Sequence, residues 1–157
     1  MTDDDLVGKK LPNFTLKTTK RDNLTNTDLK GSKKVIFIYP KNDTSSCTKE
    51  NIIFSENFKE FERLKINVFG LSKDGIESHL KFINKYKLKI ELISDPDIFL
   101  IKKLGSWIKK SMYGKEYMGV ERSTFFIDEN NTISEIWRKV KVNGHVQHVL
   151  DICNKNN

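Results

Sequence analysis

The chain has 157 residues and a mass of 18.3 kDa, the length of one ordinary domain with a single sizeable core. Hydrophobic residues make up 37% and charged residues 31%, a globular mix that excludes a disordered polymer. Lysine and arginine outnumber the acids 28 to 21, a formal charge of +7, but the lysines are scattered among acids and form no long basic block, so no specific nucleic-acid binding is expected.

No internal repeat or Pro/Gly/Ser-rich linker interrupts the chain, which predicts one domain over residues 1–157. Phe14-Thr15-Leu16 followed by Leu24 predicts an N-terminal hairpin or extended lead-in. Lys34 to Tyr39 is a near-continuous β-branched and aromatic run, the pattern of a central strand buried on both faces, and Pro40 stops it. Phe54, Phe58 and Phe61 then recur at helical spacing, with Ile53 and Leu64 alongside, predicting one long helix from Ser46 to Leu64. Asp43, Thr44, Ser45 and Ser46 just upstream are all good N-cap types.

Asn67 to Leu71 reads as a second strand, and Gly75 to Tyr86 as a second helix with Ile76, Leu80 and Ile83 facing inward. Ile90 to Ile93 is a third strand and Asp97 to Leu104 a short helix. Lys109-Lys110 falls in a loop-like stretch. Ser123 to Ile127 and Thr132 to Trp137 form an antiparallel hairpin across a polar turn, before a terminal helix from Gly144 to Cys153 with Val146, Val149, Leu150 and Cys153 on one side. Strands alternating with helices, then a closing hairpin and helix, predict an α/β fold with a mixed central sheet flanked by helices, in the order of a thioredoxin-like sheet.

Only two cysteines occur, Cys47 and Cys153, which excludes a disulfide framework and a paired-CxxC zinc ribbon. The N-terminus, Met1-Thr2-Asp3-Asp4-Asp5-Leu6-Val7, is acidic and lacks the apolar segment of a secretory signal, and Val35 to Tyr39 is far too short to cross a bilayer. A cytoplasmic protein with no membrane partner is therefore expected, in a compartment where lone thiols persist. Cys47 falls in the first turn of the predicted long helix, where unpaired N–H groups and the macrodipole favour an anion, and its neighbours Thr44, Ser45, Ser46, Thr48, Lys49 and Glu50 are polar. A thiol there ionises more readily than a free cysteine, so a reactive sulfur is favoured over an inert buried one.

The stretch Pro40-Lys41-Asn42-Asp43-Thr44-Ser45-Ser46-Cys47-Thr48-Lys49-Glu50 resembles the active-site segment of peroxiredoxins, with the Pro, Thr and Cys of the family pattern at Pro40, Thr44 and Cys47. Its flanks are similar to the bacterioferritin-comigratory, or PrxQ, subfamily. So are Leu71-Ser72-Lys73-Asp74, Ser78 to Phe82, Leu92 to Pro96, Tyr113-Gly114-Lys115 and the arginine-bearing strand Gly119 to Asp128, all in the family's order. The resemblance implies a thiol-dependent peroxidase that reduces hydrogen peroxide and organic hydroperoxides. Cys47 would be the peroxidatic thiolate, oxidised to a sulfenic acid. Arg122 would favour the thiolate and hold a peroxide oxygen. Thr44 would hydrogen-bond the peroxide, Pro40 would shield the sulfur from water, and the backbone N–H groups of Ser46 and Cys47 would face developing negative charge. Glu50 would orient a partner or simply favour the helix N-terminus.

The same resemblance implies a redox centre that is the thiol itself, with no cofactor (no metal, haem or flavin), a thioredoxin, glutaredoxin or small-thiol reductant, and a monomer. Two departures stand out. Ser45-Ser46 replaces the Pro-Gly of many members, and Ile52 occupies the position where many carry a second cysteine. The intrahelical disulfide therefore cannot form. Cys153, on the apolar side of the terminal helix, reads as a partly buried filler rather than a resolving cysteine, which predicts a one-cysteine cycle. The rival is a thioredoxin-like binding or holdase module with a non-catalytic cysteine. A disulfide oxidoreductase is disfavoured because Glu50 stands where a CxxC motif has its second Cys. His145 and His148 share a metal-compatible spacing without further ligands and read as a solvated pair, and His79 as a surface or edge residue. Trp107 and Tyr113 read as core or rim packing.

Overall fold

A computed structural model describes residues 4–156, so Met1 to Asp3, the start of the acidic N-terminal stretch, lie outside the described residues. A short antiparallel hairpin opens the fold, β1 (Thr15–Leu16) with β2 (Leu24–Thr25), followed by a one-turn helix α1 (Asn26–Leu29). Next come β3 (Lys33–Ile38), α2 (Ser45–Glu56), α3 (Phe58–Arg63), β4 (Ile66–Ser72), α4 (Ile76–Tyr86), β5 (Glu91–Ser94) and α5 (Phe99–Lys103). A second hairpin, β6 (Trp107–Met112) with β7 (Lys115–Val120), leads into β8 (Ser123–Ile127), β9 (Ile133–Trp137) and the terminal helix α6 (His145–Lys155).

The central sheet has the order β5-β4-β3-β8-β9. β3, β4 and β5 run parallel, while β8 is antiparallel to β3 and β9 antiparallel to β8. β3 is central because its side chains are apolar on both faces. Val35, Phe37 and Tyr39 join a core with residues of α2, α3, α4 and α6. Ile36 and Ile38 join a second core on the other face, with residues of α1, α5 and the N-terminal segment. Gly70 of β4 is needed where the first core is tightest, since a Cβ there would lie 2.6 Å from Leu92 Cδ2 and 3.0 Å from Phe37 Cζ.

Several sequence expectations need correction. The helix expected from Ser46 to Leu64 breaks at Asn57, whose side-chain amide donates to the Ile53 carbonyl at 2.9 Å. That bond uses an acceptor at the end of α2 and lets the chain change direction. On α4 Ile83 packs against the first core as expected, but the most buried positions fall outside the expected stripe. His79 and Phe82 are buried, whereas Leu80 is 48% exposed, because the imidazole has buried polar partners. Lys109 and Lys110 lie in β6 rather than a loop. Tyr113 packs against nothing at 98% exposure, because it occupies the β6–β7 turn with a φ of 52°. Trp107 packs against the second core as expected. His145 and His148 are not both solvated: His145 is buried against Thr124, Phe54 and Trp137. Among the described residues, no helix is long and apolar enough to cross a membrane.

Candidate active site

The site forms where β3 ends and α2 begins. Tyr39 continues β3 with its N–H donating to the Leu71 carbonyl at 3.1 Å, and half-buried Pro40 then closes the ladder. The first intrahelical bond of α2 runs from the Thr48 N–H to the Thr44 carbonyl at 2.8 Å. The N–H groups of Ser45, Ser46 and Cys47 precede that bond and carry the positive end of the helix dipole. Cys47 is thus in the first turn, as expected, and its side chain is only 1% exposed.

Arg122 lies between β7 and β8. Its Nη2 donates to Cys47 Sγ at 3.4 Å and its Nη1 donates to Glu50 Oε1 at 2.7 Å. One guanidinium therefore bridges a thiol and a carboxylate a helical turn apart on α2. Burial works against the Arg122 charge, but the fields of Glu50 and Cys47 outweigh it and hold its pKa above the ordinary value. Glu50 is fully buried, and burial pushes its carboxyl up to about 7 against the pull of Arg122. Glu50 Oε2 and Asn51 Oδ1 are buried without a hydrogen-bond partner among the described residues.

The loop ahead of Cys47 is fastened on its other side. Tyr39 donates its hydroxyl to Asn42 Oδ1 at 2.6 Å, and Asn42 Nδ2 donates to Ser78 Oγ and to His79 Nδ1, both at 3.0 Å. His79 Nε2 in turn donates to the Ile93 carbonyl at 3.0 Å. Burial pushes His79 down to about 4, so the ring is neutral and its two nitrogens have fixed, opposite roles. The Asn42 N–H donates to Asp74 Oδ2 at 2.9 Å. Asp43, at a φ of 61°, accepts from Lys85 Nζ at 2.7 Å and from the Tyr86 hydroxyl at 2.5 Å. The active-site loop is thus tied to α4 at two successive residues.

The structure brings Cys47 and Arg122 together and sets Ser46 one residue before the sulfur. Thr44 is arranged differently: it is exposed, makes no side-chain cap bond to α2, and its hydroxyl donates to the Lys41 carbonyl at 2.9 Å, so its one proton does not go to the sulfur. No role is expected from the sequence for Asn42, Asp74 or Tyr39, and His79, expected at the surface or an edge, is instead buried with Asn42 and the Ile93 carbonyl as partners. A cavity of about 1110 Å³ lies elsewhere, between the N-terminal hairpin and α5.

Cys153 is fully buried rather than partly so, in the same core as Cys47. Burial pushes its thiol up to about 12, with Lys33 at the start of β3 pulling weakly the other way. Both thiols are free and buried, Cys47 in the first turn of α2 and Cys153 in the last turns of α6.

Residues 7–136 match the model of the AhpC/TSA family. A putative peroxiredoxin bcp of Coxiella burnetii is 43% identical over 144 residues, covering 92% of this chain and 95% of that protein. The peroxiredoxin Bcp of Bacillus subtilis is 38% identical over 144 residues, 92% of each chain. Among solved structures, a Xylella fastidiosa PrxQ variant superposes with a TM-score of 0.90 at 32% identity, covering 96% of both chains. The Xanthomonas campestris bacterioferritin comigratory protein, described for its alkyl peroxide reduction activity, superposes with a TM-score of 0.87 at 33% identity over 91% of both chains. With its thioredoxin-like mixed sheet and a cysteine–arginine pair at the head of α2, the chain belongs to the peroxiredoxins of the AhpC/TSA family and is similar throughout to their Bcp/PrxQ members.

Proposed function

We propose that the chain works as one peroxiredoxin domain that reduces hydrogen peroxide and organic hydroperoxides at Cys47. The observation that carries this reading is the guanidinium of Arg122 at 3.4 Å from Cys47 Sγ, at the start of a twelve-residue helix. Both features favour negative charge on sulfur, the form that attacks a peroxide oxygen. The distal oxygen transfers to sulfur as a sulfenic acid, and the departing hydroxide or alkoxide leaves as water or alcohol after taking a proton. Arg122 and the N–H groups of Ser46 and Cys47 stabilise the charge as it moves from sulfur to the leaving oxygen. Pro40 narrows the approach to the sulfur. Thr44 reaches the peroxide only after its hydroxyl turns away from the Lys41 carbonyl, a rotamer change open to an exposed side chain.

The cycle uses one cysteine. Ile52 stands where a second thiol on α2 would be needed, α4 carries no cysteine, and Cys153 is buried in the last turns of α6 with its thiol pushed up to about 12. An external thiol therefore reduces the sulfenic acid: thioredoxin, glutaredoxin or a small thiol in a reducing cytoplasm, acting on a monomer. Turnover of hydroperoxide in the presence of excess dithiol tests the reading. Wild type and Cys153→Ser should turn over alike and Cys47→Ser not at all. Turnover by Cys47→Ser, or a Cys153→Ser variant arrested after one equivalent, would refute it.

A further inference from the structure

Cys47 and Glu50 are two acids facing one cation. Arg122 reaches Sγ with Nη2 and Oε1 with Nη1, and both acids are shielded from water at 1% and 0% exposure. Two negative charges opposite a single buried guanidinium leave one of them uncompensated, which a low-dielectric site resists. Glu50 is placed to be the one that stays neutral. Its Oε2 is buried with no donor, so a proton on Glu50 relieves an acceptor that a carboxylate would leave unsatisfied.

The other titratable groups facing the pair do not supply a second cation. Tyr39, at the end of β3, is held neutral by burial. His145, at the start of α6, is pushed down to about 4 by burial, with His148 and Arg122 adding to the effect. Lys49 turns outward to Asn143.

We propose that Cys47 and Glu50 share one proton across Arg122, so that the reactive form carries the negative charge on sulfur and the proton on Glu50. This rests on the peroxidase reading and deepens it by naming where the proton goes. The thiolate, hydroperoxide and protonated Glu50 become sulfenic acid, alcohol and Glu50 carboxylate. One oxygen moves to sulfur, the O–O bond breaks, and the Glu50 proton balances the alkoxide that leaves. Once sulfur is neutral, Arg122 pairs with Glu50 alone. Glu50 is in this sense a positioning residue for charge, acting through Arg122.

The test reads sulfur charge without peroxide, so that it fails independently of the peroxidase reading. Thiolate absorbance is followed against pH in wild type and Glu50→Gln. Cys153, pushed up to about 12, stays silent over the working range. Shared-proton titration predicts a two-step rise in wild type, the first step near the pH of the single rise in Glu50→Gln, whose neutral side chain mimics protonated Glu50, and the second step above it. A single wild-type rise lying wholly above that of Glu50→Gln, the mark of a Glu50 ionised throughout, overturns the proposal, and so does a single wild-type rise with no second step. Infrared difference spectra of wild type at neutral pH give a second readout that needs no variant to fold. Oxidation of Cys47 should remove one buried carboxylic-acid carbonyl band. A spectrum showing Cys47 oxidised with no loss of that band rejects the shared proton while leaving the peroxidase reading intact.

Discussion

The two cysteines make a controlled comparison inside one core. Cys47 and Cys153 are equally hidden, at 1% and 0% exposure, and both pack among the apolar residues on the α2/α6 face of the sheet. Cys47 sits at the N-terminal end of a helix with a guanidinium against its sulfur. Cys153 sits in the last turns of α6, at the negative end of the dipole, where burial drives its thiol up to about 12. Burial alone therefore does not decide the chemistry of a thiol here. The charges and unpaired N–H groups that share its enclosure do.

The comparison breaks most completely at the sulfur itself. Cys47→Ser should reduce hydroperoxide turnover to the uncatalysed level, read by peroxide consumption with excess dithiol. Removing the cation should come next: Arg122→Gln is expected to slow oxidation of Cys47 about 10²-fold, the usual cost of losing one charge-stabilising donor. Stopped-flow oxidation at fixed pH measures this, and an unchanged rate would take Arg122 out of the mechanism.

Glu50 adds a pH signature to the Cys47 side only. Its pKa is raised on folding from about 4.5 to about 7 by burial. The folded state thus holds that proton more tightly than the unfolded chain. The stabilising contribution is fully present below about 4.5 and is lost as pH rises through about 7. Denaturant melts should show wild type losing up to about 3 kcal/mol across that window relative to Glu50→Gln, by the usual conversion of pKa units.

The smallest effects belong to Cys153. Iodoacetamide at neutral pH should label Cys47 and spare Cys153 until the protein is unfolded. Cys153→Ala should leave turnover unchanged and cost about 1 kcal/mol in a denaturant melt, the price of a small core cavity. Labelling of folded Cys153 at a rate like that of Cys47 would erase the contrast.

What was legible in the sequence follows the same division between pattern and enclosure. β3 was plain because Val35 to Tyr39 is apolar at every position, and the place of Cys47 was plain because polar cap residues precede a helical repeat. The break at Asn57 was hidden, since Phe54, Phe58 and Phe61 continue the helical spacing straight across it. The β6–β7 hairpin was hidden because the segment is rich in lysine and mostly exposed, leaving no alternation to detect, although Tyr113-Gly114 marks its turn. His79 and Glu50 were hidden for a different reason. A charged or polar residue type predicts exposure, and only the fold reveals that Asn42 and the Ile93 carbonyl receive one and Arg122 the other. The peroxiredoxin motif located the cysteine and its arginine, while the resting position of the Thr44 hydroxyl depended on a local carbonyl that no motif records.

The central claim is that the sulfur beside Arg122 takes the peroxide oxygen. Reduced protein mixed with one equivalent of hydrogen peroxide, quenched within seconds and mapped by peptide mass spectrometry, tests it most directly. One added oxygen is expected on the peptide bearing Cys47, trapped by a sulfenic-acid reagent, with Cys153 unmodified. An unmodified Cys47, or oxygen appearing first on Cys153, would contradict it.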